Sequence, residues 1–190
     1  NRAGTSSYII NRQGAITKSN VRVGNGIIHA IDQVLIPANK TIAQQLESIP
    51  EYSIFVQAMK ETGFFNKLNT VDPDLSKRWI TVFAESNKAL ADSGFASYAA
   101  LKARLSKTGN PTNPKDSLNM YVAYHISSGL KFLGDIITVP THETLLPQEV
   151  VSIKLIDQDI LLNEDEFNGV VEPGIKINRA KSDIGATNGV

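Results

Sequence analysis

The chain has 190 residues, enough for one domain with a sizeable core and a smaller remnant. Its 19 basic and 19 acidic residues balance, which argues against nucleic-acid binding, and it has no apolar run long enough to span a membrane. It also contains no cysteine, which excludes disulfide bonds, zinc thiolate sites and thiol catalysis.

The first forty residues predict short strands that lead into one long apolar segment. Tyr8-Ile9-Ile10 is a short apolar run, Gln13-Gly14 indicates a turn, and residues 15–23 form an extended segment that ends at Gly24. The segment from Asn25 to Pro37 is apolar at alternating positions on both faces. This pattern predicts a strand that is covered on both sides.

That segment overlaps a repeat. Lys18-Ser19-Asn20-Val21-Arg22-Val23-Gly24-Asn25-Gly26-Ile27 is matched without a gap by Lys181-Ser182-Asp183-Ile184-Gly185-Ala186-Thr187-Asn188-Gly189-Val190. We therefore interpret residues 1–37 as the C-terminal strands of one repeat and residues 38–190 as a second repeat that lacks its final strand.

We expect Ile27 to Pro37 to fill the place of that final strand, because an open core and unpaired strand edges are unfavourable. The segment could do so within one chain, or between copies as a strand exchange that makes a homo-oligomer. The alternative is that residues 8–37 pack as a separate unit.

The first part of the second unit predicts mainly helices. Thr41 begins a helix that ends before Pro50, and residues 51–62 form a second helix with Gly63 as its C-terminal cap. Two further helices are predicted at residues 98–107 and 118–127.

Sequence patterns typical of β-strands occur between and after these predicted helices. Trp79 to Ala84 is rich in β-branched and aromatic residues, and Ser86 is a good N-cap for the short helix that follows. Residues 150–156 and 175–177 alternate and predict strands separated by turns. Helices first and strands later predict an α+β fold rather than a parallel α/β sheet.

The residues that could carry chemistry form no recognisable catalytic, cofactor or metal site. The three histidines have no partner at metal-ligand spacing. Asp157, Asp159, Asn163 and Asp165 lack the spacing of a helix-loop-helix calcium loop, so we interpret them as hairpin turns. There is no nucleophile elbow, phosphate loop or dinucleotide fingerprint, so an enzyme is the least favoured function.

Three stretches together resemble the fasciclin domain. They are Thr81-Val82-Phe83-Ala84-Glu85-Ser86-Asn87-Lys88-Ala89-Leu90, the pair Tyr124-His125, and Asn25-Gly26-Ile27-Ile28-His29-Ala30-Ile31-Asp32-Gln33-Val34-Leu35-Ile36-Pro37. Glu85 stands where this family usually has proline, and Leu90 where it usually has phenylalanine. The resemblance implies a small twisted β-sandwich or wedge whose helices come mainly from the first half.

The same resemblance implies a non-enzymatic adhesion or ligand-binding module that binds a protein or a glycan. The parent would be an exported, multi-repeat protein or lipoprotein at the cell surface, in the periplasm or outside the cell. The alternative, from another class, is a structural spacer without a ligand of its own. In the family the Tyr-His pair has been linked to receptor binding, which makes Tyr124 and His125 candidate ligand-binding residues.

The remaining motif residues are expected to be structural. We predict that Phe83 is buried, that Ser86 caps its helix, and that the largely buried His125 has at least one ring nitrogen bonded to protein. His29 and Asp32 are expected to bond within a buried strand or to the loop after Phe83. The residues with a predicted structural role are Asn25, Gly26, His29, Ile31, Asp32, Thr81, Phe83, Ser86 and Asn87.

Overall fold

A computed structural model describes residues 8–167 and 169–190 of the chain. Its α-helices are α1 (Ile42–Glu47), α2 (Ser53–Thr62), α3 (Phe64–Leu68), α4 (Leu75–Arg78), α5 (Asn87–Asp92), α6 (Tyr98–Leu105), α7 (Ser117–Tyr124) and α8 (Leu133–Ile136). Its strands are β1 (Ile9–Ile10), β2 (Gly14–Val23), β3 (Gly26–Ile31), β4 (Ile80–Val82), β5 (Ile126–Ser128), β6 (Thr141–Glu143), β7 (Val150–Ile156), β8 (Asp159–Leu162), β9 (Asp165–Phe167), β10 (Val170–Glu172) and β11 (Ile175–Lys176). The predicted α+β fold is confirmed.

The helical layer follows the predicted pattern closely. Thr41 caps α1 in a reciprocal capping box with Gln44, and Gly63 ends α2 in the left-handed conformation. The apolar faces of these helices form one core, whose fully buried side chains include Phe55, Met59, Leu68, Leu101, Leu118, Val122 and Ile126. Helix α4 lies in the polar segment between α3 and β4, and it begins because the Asp74 carboxylate accepts a hydrogen bond from the Ser76 amide.

The second half contributes antiparallel ribbons. Strands β6, β7, β8 and β11 form one sheet in the order β11-β8-β7-β6, and β9 pairs with β10. The prediction missed β8, which returns along β7 through a tight turn in which Asp157 adopts a φ of 55°. Strand β4 is shorter than predicted and pairs with β5.

The N-terminal residues form a three-stranded antiparallel sheet in the order β1-β2-β3. Within the described chain, β2 is the strand paired with β3, and Ile27 and Ile28 remain 57% and 53% exposed. The prediction that this strand is buried on both faces is therefore wrong for the single chain, because neither a sheet nor a helix covers it.

The roles expected for the polar residues of β3 change accordingly. The Asp32 carboxylate accepts a hydrogen bond from the Ala15 amide at 2.7 Å, and His29 Nδ1 accepts one from the Asn20 amide at 3.4 Å. Both residues bond to β2 and not to the loop after Phe83. Completion of the second unit by residues 27–37 of the same chain is thus not what the structure shows.

The second copy of the repeat lies in a different environment from the first. Asn188 to Val190 run parallel to β4, with hydrogen bonds from the Ile80 amide to the Asn188 carbonyl, from Val190 to Ile80, and from Val82 to Val190, all of 2.9–3.0 Å. Asn188 and Gly189 are buried in this position, whereas the matching residues Asn25 to Ile27 are exposed at the hairpin turn.

Candidate functional site

An open cleft of about 750 Å³ lies between the helical layer and the C-terminal ribbons. Helix residues such as Ile42 and Leu46 line one side, and Val151, Leu162 and Ile177 line the other. Residues 81–86, which include the end of β4 and the segment after it, also line the cleft. Its volume is within the ~300–1,000 Å³ typical of small-molecule sites, and its lining is predominantly apolar, as it is in most such sites.

A polar cluster stands at one end of this cleft. The Tyr121 hydroxyl donates a hydrogen bond of 2.5 Å to the Glu85 carboxylate, and His125 Nε2 lies 3.6 Å from the other carboxylate oxygen. His125 Nδ1 is 2.7 Å from the Tyr121 carbonyl oxygen, and since a carbonyl can only accept, Nδ1 carries the proton. The Tyr121 and His125 rings are in contact, with centroids 4.5 Å apart.

The electrostatics of this cluster couple its members. Burial acts to raise the pKa of Glu85, but the nearby His125 and the Tyr121 hydroxyl together hold this pKa below its usual value. Burial and the adjacent Glu85 carboxylate raise the pKa of Tyr121, so its hydroxyl stays protonated as a donor. The 3.6 Å separation of His125 Nε2 and the Glu85 carboxylate is longer than a hydrogen bond, so the two groups are in close polar contact.

The two candidate ligand-binding residues both line the cleft but are held differently. The His125 side chain is only 14% exposed and has the expected hydrogen bond to protein. The Tyr124 ring is partly exposed, and its hydroxyl donates to the Val150 carbonyl oxygen at 3.0 Å. Tyr124 is therefore the member of the pair that a partner can reach more easily.

The predicted corner between β4 and α5 is present with one correction. The Ser86 hydroxyl accepts a hydrogen bond from the Ala89 amide, and the Asn87 side chain bonds to the Ile54 amide, the Pro50 carbonyl and the Ser53 hydroxyl. The prediction that Phe83 is buried is wrong: it is only partly buried, because it faces the open cleft and not the helical core.

Thr81 connects this corner to the next segment. Its buried hydroxyl donates to the Gly129 carbonyl at 2.8 Å and accepts from the Lys131 amide at 2.9 Å. These bonds join β4 to the chain that leaves β5.

Two fully buried polar residues were missed. Asn188 accepts a hydrogen bond from the Ile42 amide and donates to the carbonyls of Leu68 and Thr70, so it joins the chain end to α1 and to the segment after α3. The signal available was its match with Asn25 in the repeat. Asp116 caps α7 through the Leu118 amide.

Asp116 also accepts hydrogen bonds from two neighbouring hydroxyls, those of Ser106 and Thr108. Burial acts to raise its pKa, but these donors and the amides of Thr108 and Leu118 outweigh burial and lower it. An acidic residue just before a predicted helix was the signal for this cap.

The acidic turn residues do not converge on a common point. Asp159 forms an ion pair with Lys176 at 2.6 Å, and the Asn163 side chain accepts from the Ser152 amide. Across residues 8–167 and 169–190, no group of three or more acidic, histidine or cysteine side chains is arranged to hold a metal ion. None of the helices in these residues has the length and apolar character that a membrane crossing requires.

The fold and the cleft together define a small α+β domain in which the segment Asn188 to Val190 lies beside β4. The chain belongs to the fasciclin domain family, whose sequence model matches residues 50–190. Fasciclin domains are generally non-enzymatic adhesion modules.

A solved structure with a similar fold is the FAS1 domain pair of the insect cell adhesion molecule Fasciclin I. It is 17% identical, with a TM-score of 0.53, and the match covers 93% of this chain and 56% of that chain. The present chain thus spans little more than half of that domain pair. Among curated proteins, none matches the sequence.

Proposed function

We propose that the chain is a non-enzymatic adhesion module that binds a protein or a glycan and belongs to a multi-repeat protein exported to the cell surface or beyond. The observation that carries this proposal is the family match, which covers residues 50–190 and so includes α2 to α8 and the C-terminal ribbons. The similar domain pair comes from a cell adhesion molecule, which supports the same function.

The extent of the structural match supports a repeat protein. The match to the domain pair covers 93% of the chain, more than residues 50–190 alone can supply, so it extends into the N-terminal region. We therefore assign residues 1–37 to the end of a preceding repeat and residues 38–190 to the following fasciclin-like unit. In this assignment the two copies of the decapeptide mark equivalent positions in successive units.

We propose Tyr124 as the principal contact residue at the cleft and His125 as its support. Tyr124 combines a partly exposed ring with a fixed hydroxyl, and aromatic side chains of this kind often dominate protein interfaces. His125 packs edge-on against it, with ring centroids 6.0 Å apart, and is itself fixed by Tyr121.

The test is binding of the 190-residue chain to arrays of extracellular matrix proteins and glycans. We expect at least one reproducible ligand whose binding falls severalfold in Tyr124→Ala but survives in Tyr98→Phe, a tyrosine on α6 outside the cleft lining. Blank arrays would instead indicate a structural spacer. A ligand bound equally by wild type and Tyr124→Ala would place the contact surface elsewhere.

A further inference from the structure

The Lys131 side chain folds back over the end of β5 and donates to two uncharged oxygens there. Its Nζ lies 2.9 Å from the Ser127 hydroxyl oxygen and also donates to the Ser128 carbonyl. The side chain lies close to the turn, because a Cβ on Gly129 would be 3.3 Å from this Nζ. The Lys131 amide donates to the Thr81 hydroxyl at 2.9 Å, so both ends of the residue are fixed.

The acceptors of Lys131 differ from those of the lysines that form ion pairs. Lys60, Lys88 and Lys102 each lie within 3.1 Å of a carboxylate oxygen, which favours the charged form of a lysine. Among the described residues, no ion pair of this kind includes Lys131. Its hydrogen bonds therefore orient the nitrogen without supplying an opposite charge.

Lys131 lines a small polar cavity beside β5 and β6. The cavity has a volume of about 250 Å³ and is also lined by Ser128, Thr141, Glu143 and Thr144. Since one water occupies ~30 Å³ in the liquid, the cavity has room for an organic molecule of several heavy atoms. Its hydroxyls and its carboxylate favour a polar molecule.

The reactive atom of the Ser127–Lys131 pair is the nitrogen and not the hydroxyl oxygen. Ser127 is only 1% exposed, and its hydroxyl donates its proton to the Glu143 carbonyl at 2.6 Å. The serine oxygen is therefore an acceptor for Lys131 and is too buried to attack a bound molecule. Lys131 itself is partly exposed.

A lysine must lose its proton before it can act as a nucleophile. At the ordinary pKa of ~10.4, only about one lysine in 2,500 is neutral at pH 7. Burial lowers the pKa of Lys131, and the Glu143 carboxylate opposes this shift only in part. His142, the other titratable residue that lines the cavity, is buried, and its Nε2 lies 2.9 Å from the Ile136 carbonyl oxygen. The neutral fraction of Lys131 is therefore larger than that of an exposed lysine.

We propose that Lys131 is a site of reversible covalent modification by small polar aldehydes that enter this cavity. The neutral Nζ attacks the carbonyl carbon and forms a C–N bond. The carbonyl oxygen takes up the two protons that the nitrogen gives up and leaves as water, so the product is an imine and no oxidant or reductant is consumed. Short reducing sugars in their open-chain form belong to this chemical class. The proposal is independent of any adhesion ligand.

The test is reductive trapping of the imine with glycolaldehyde and cyanoborohydride at pH 7, with each lysine quantified by peptide mass spectrometry. At limiting aldehyde we expect Lys131 to be alkylated severalfold faster than the exposed Lys18 and Lys115. This difference should disappear when the chain is unfolded in urea. A rate no higher than that of the exposed lysines, or a difference that persists in urea, would overturn the proposal.

A glutamate substitution tests the electrostatic part of the argument. Glu143→Gln removes the carboxylate that favours the charged form of Lys131, so alkylation of Lys131 at pH 7 should become faster. Glu172→Gln, which changes an exposed glutamate on β10, should leave the rate as it is. An unchanged or slower rate in Glu143→Gln would contradict the proposal.

A second aldehyde tests the role of the cavity. Propanal has as many heavy atoms as glycolaldehyde but carries a methyl group in place of the hydroxyl. Because the cavity lining is polar, the preference for Lys131 over exposed lysines should be weaker with propanal. An equal preference with both aldehydes would show that the cavity does not hold the aldehyde, and the assigned site would be rejected.

Discussion

A single methyl group should have very different effects on stability at the matching glycines of the two repeat copies, Gly189 and Gly26. A Cβ on Gly189 would lie 1.8 Å from the Ile80 carbonyl oxygen and 2.8 Å from Ile42 Cδ1, so the strand would have to move away from β4. The matching Gly26 has no atom within 4 Å of such a Cβ. Gly26→Ala is therefore a matched control for Gly189→Ala.

The magnitude follows from the bonds that the displaced strand makes. Three backbone hydrogen bonds join Asn188 and Val190 to β4, and at ~0.5–1.5 kcal/mol each their loss costs about 1.5–4.5 kcal/mol. This is a large share of the ~5–15 kcal/mol that stabilises a typical domain. Gly26→Ala should leave the free energy of unfolding unchanged or raise it by up to ~1 kcal/mol, because alanine restricts the conformations of the unfolded chain.

Urea unfolding followed by tryptophan fluorescence measures the difference. Trp79 is the one tryptophan in the sequence and directly precedes β4, so its emission reports on the strand that Gly189 touches. Gly189→Ala should move the unfolding midpoint to markedly lower urea, and Gly26→Ala should not. Equal midpoints for the two variants would refute the insertion of the chain end beside β4.

Three other outcomes are expected from the same assay. Asn188→Ala should lower the free energy of unfolding by about 2–4 kcal/mol, because it leaves buried backbone groups without hydrogen-bond partners. Asn25→Ala, at the exposed matching position, should change it by no more than ~0.5 kcal/mol. Similar losses in the two variants would contradict the buried role of Asn188. Asp116→Ala should lower the free energy of unfolding by ~1–3 kcal/mol, because α7 loses its cap and the hydroxyls of Ser106 and Thr108 lose their acceptor. An unchanged unfolding midpoint would show that these hydrogen bonds do not stabilise the fold. The pKa of Glu85 in the folded chain is held below its usual value of 4.5, so its contribution to stability is complete above pH 4.5 and is lost as the pH falls through the folded pKa. Glu85→Gln should flatten this acid-side loss of stability, and an identical pH profile would rule out the coupling.

The sequence alone correctly predicted the features that depend only on residues close by in the chain. Thr41, Gly63 and Ser86 were assigned as helix ends from residue type and spacing, and each caps a helix in the structure. Such caps are satisfied by backbone groups within a few residues, so their signal is contained in a short window. The α+β order of elements could be predicted for the same reason.

The sequence was insufficient where the partner is remote. Phe83 carries the pattern of a core residue, yet its burial depends on what fills the cleft in front of it. Asn188 and Gly189 give an ordinary turn signal, and nothing near them indicates that Ile42, Leu68 and Ile80 will surround them. Such positions are decided by tertiary packing, which overrides local propensity.

The repeat shows how completely surroundings can decide the role of one sequence. Residues 20–27 form the turn end of an exposed antiparallel hairpin, whereas residues 183–190 end as a buried segment parallel to β4. The first copy pairs within its own hairpin, Arg22 with Ile27 and Val23 with Gly26, whereas the second makes its bonds to β4 and to α1. We therefore expect the same substitution to have little effect in the first copy and a large effect in the second. Paired substitutions at Asn25 with Asn188 and at Gly26 with Gly189 thus isolate the effect of environment from that of residue type.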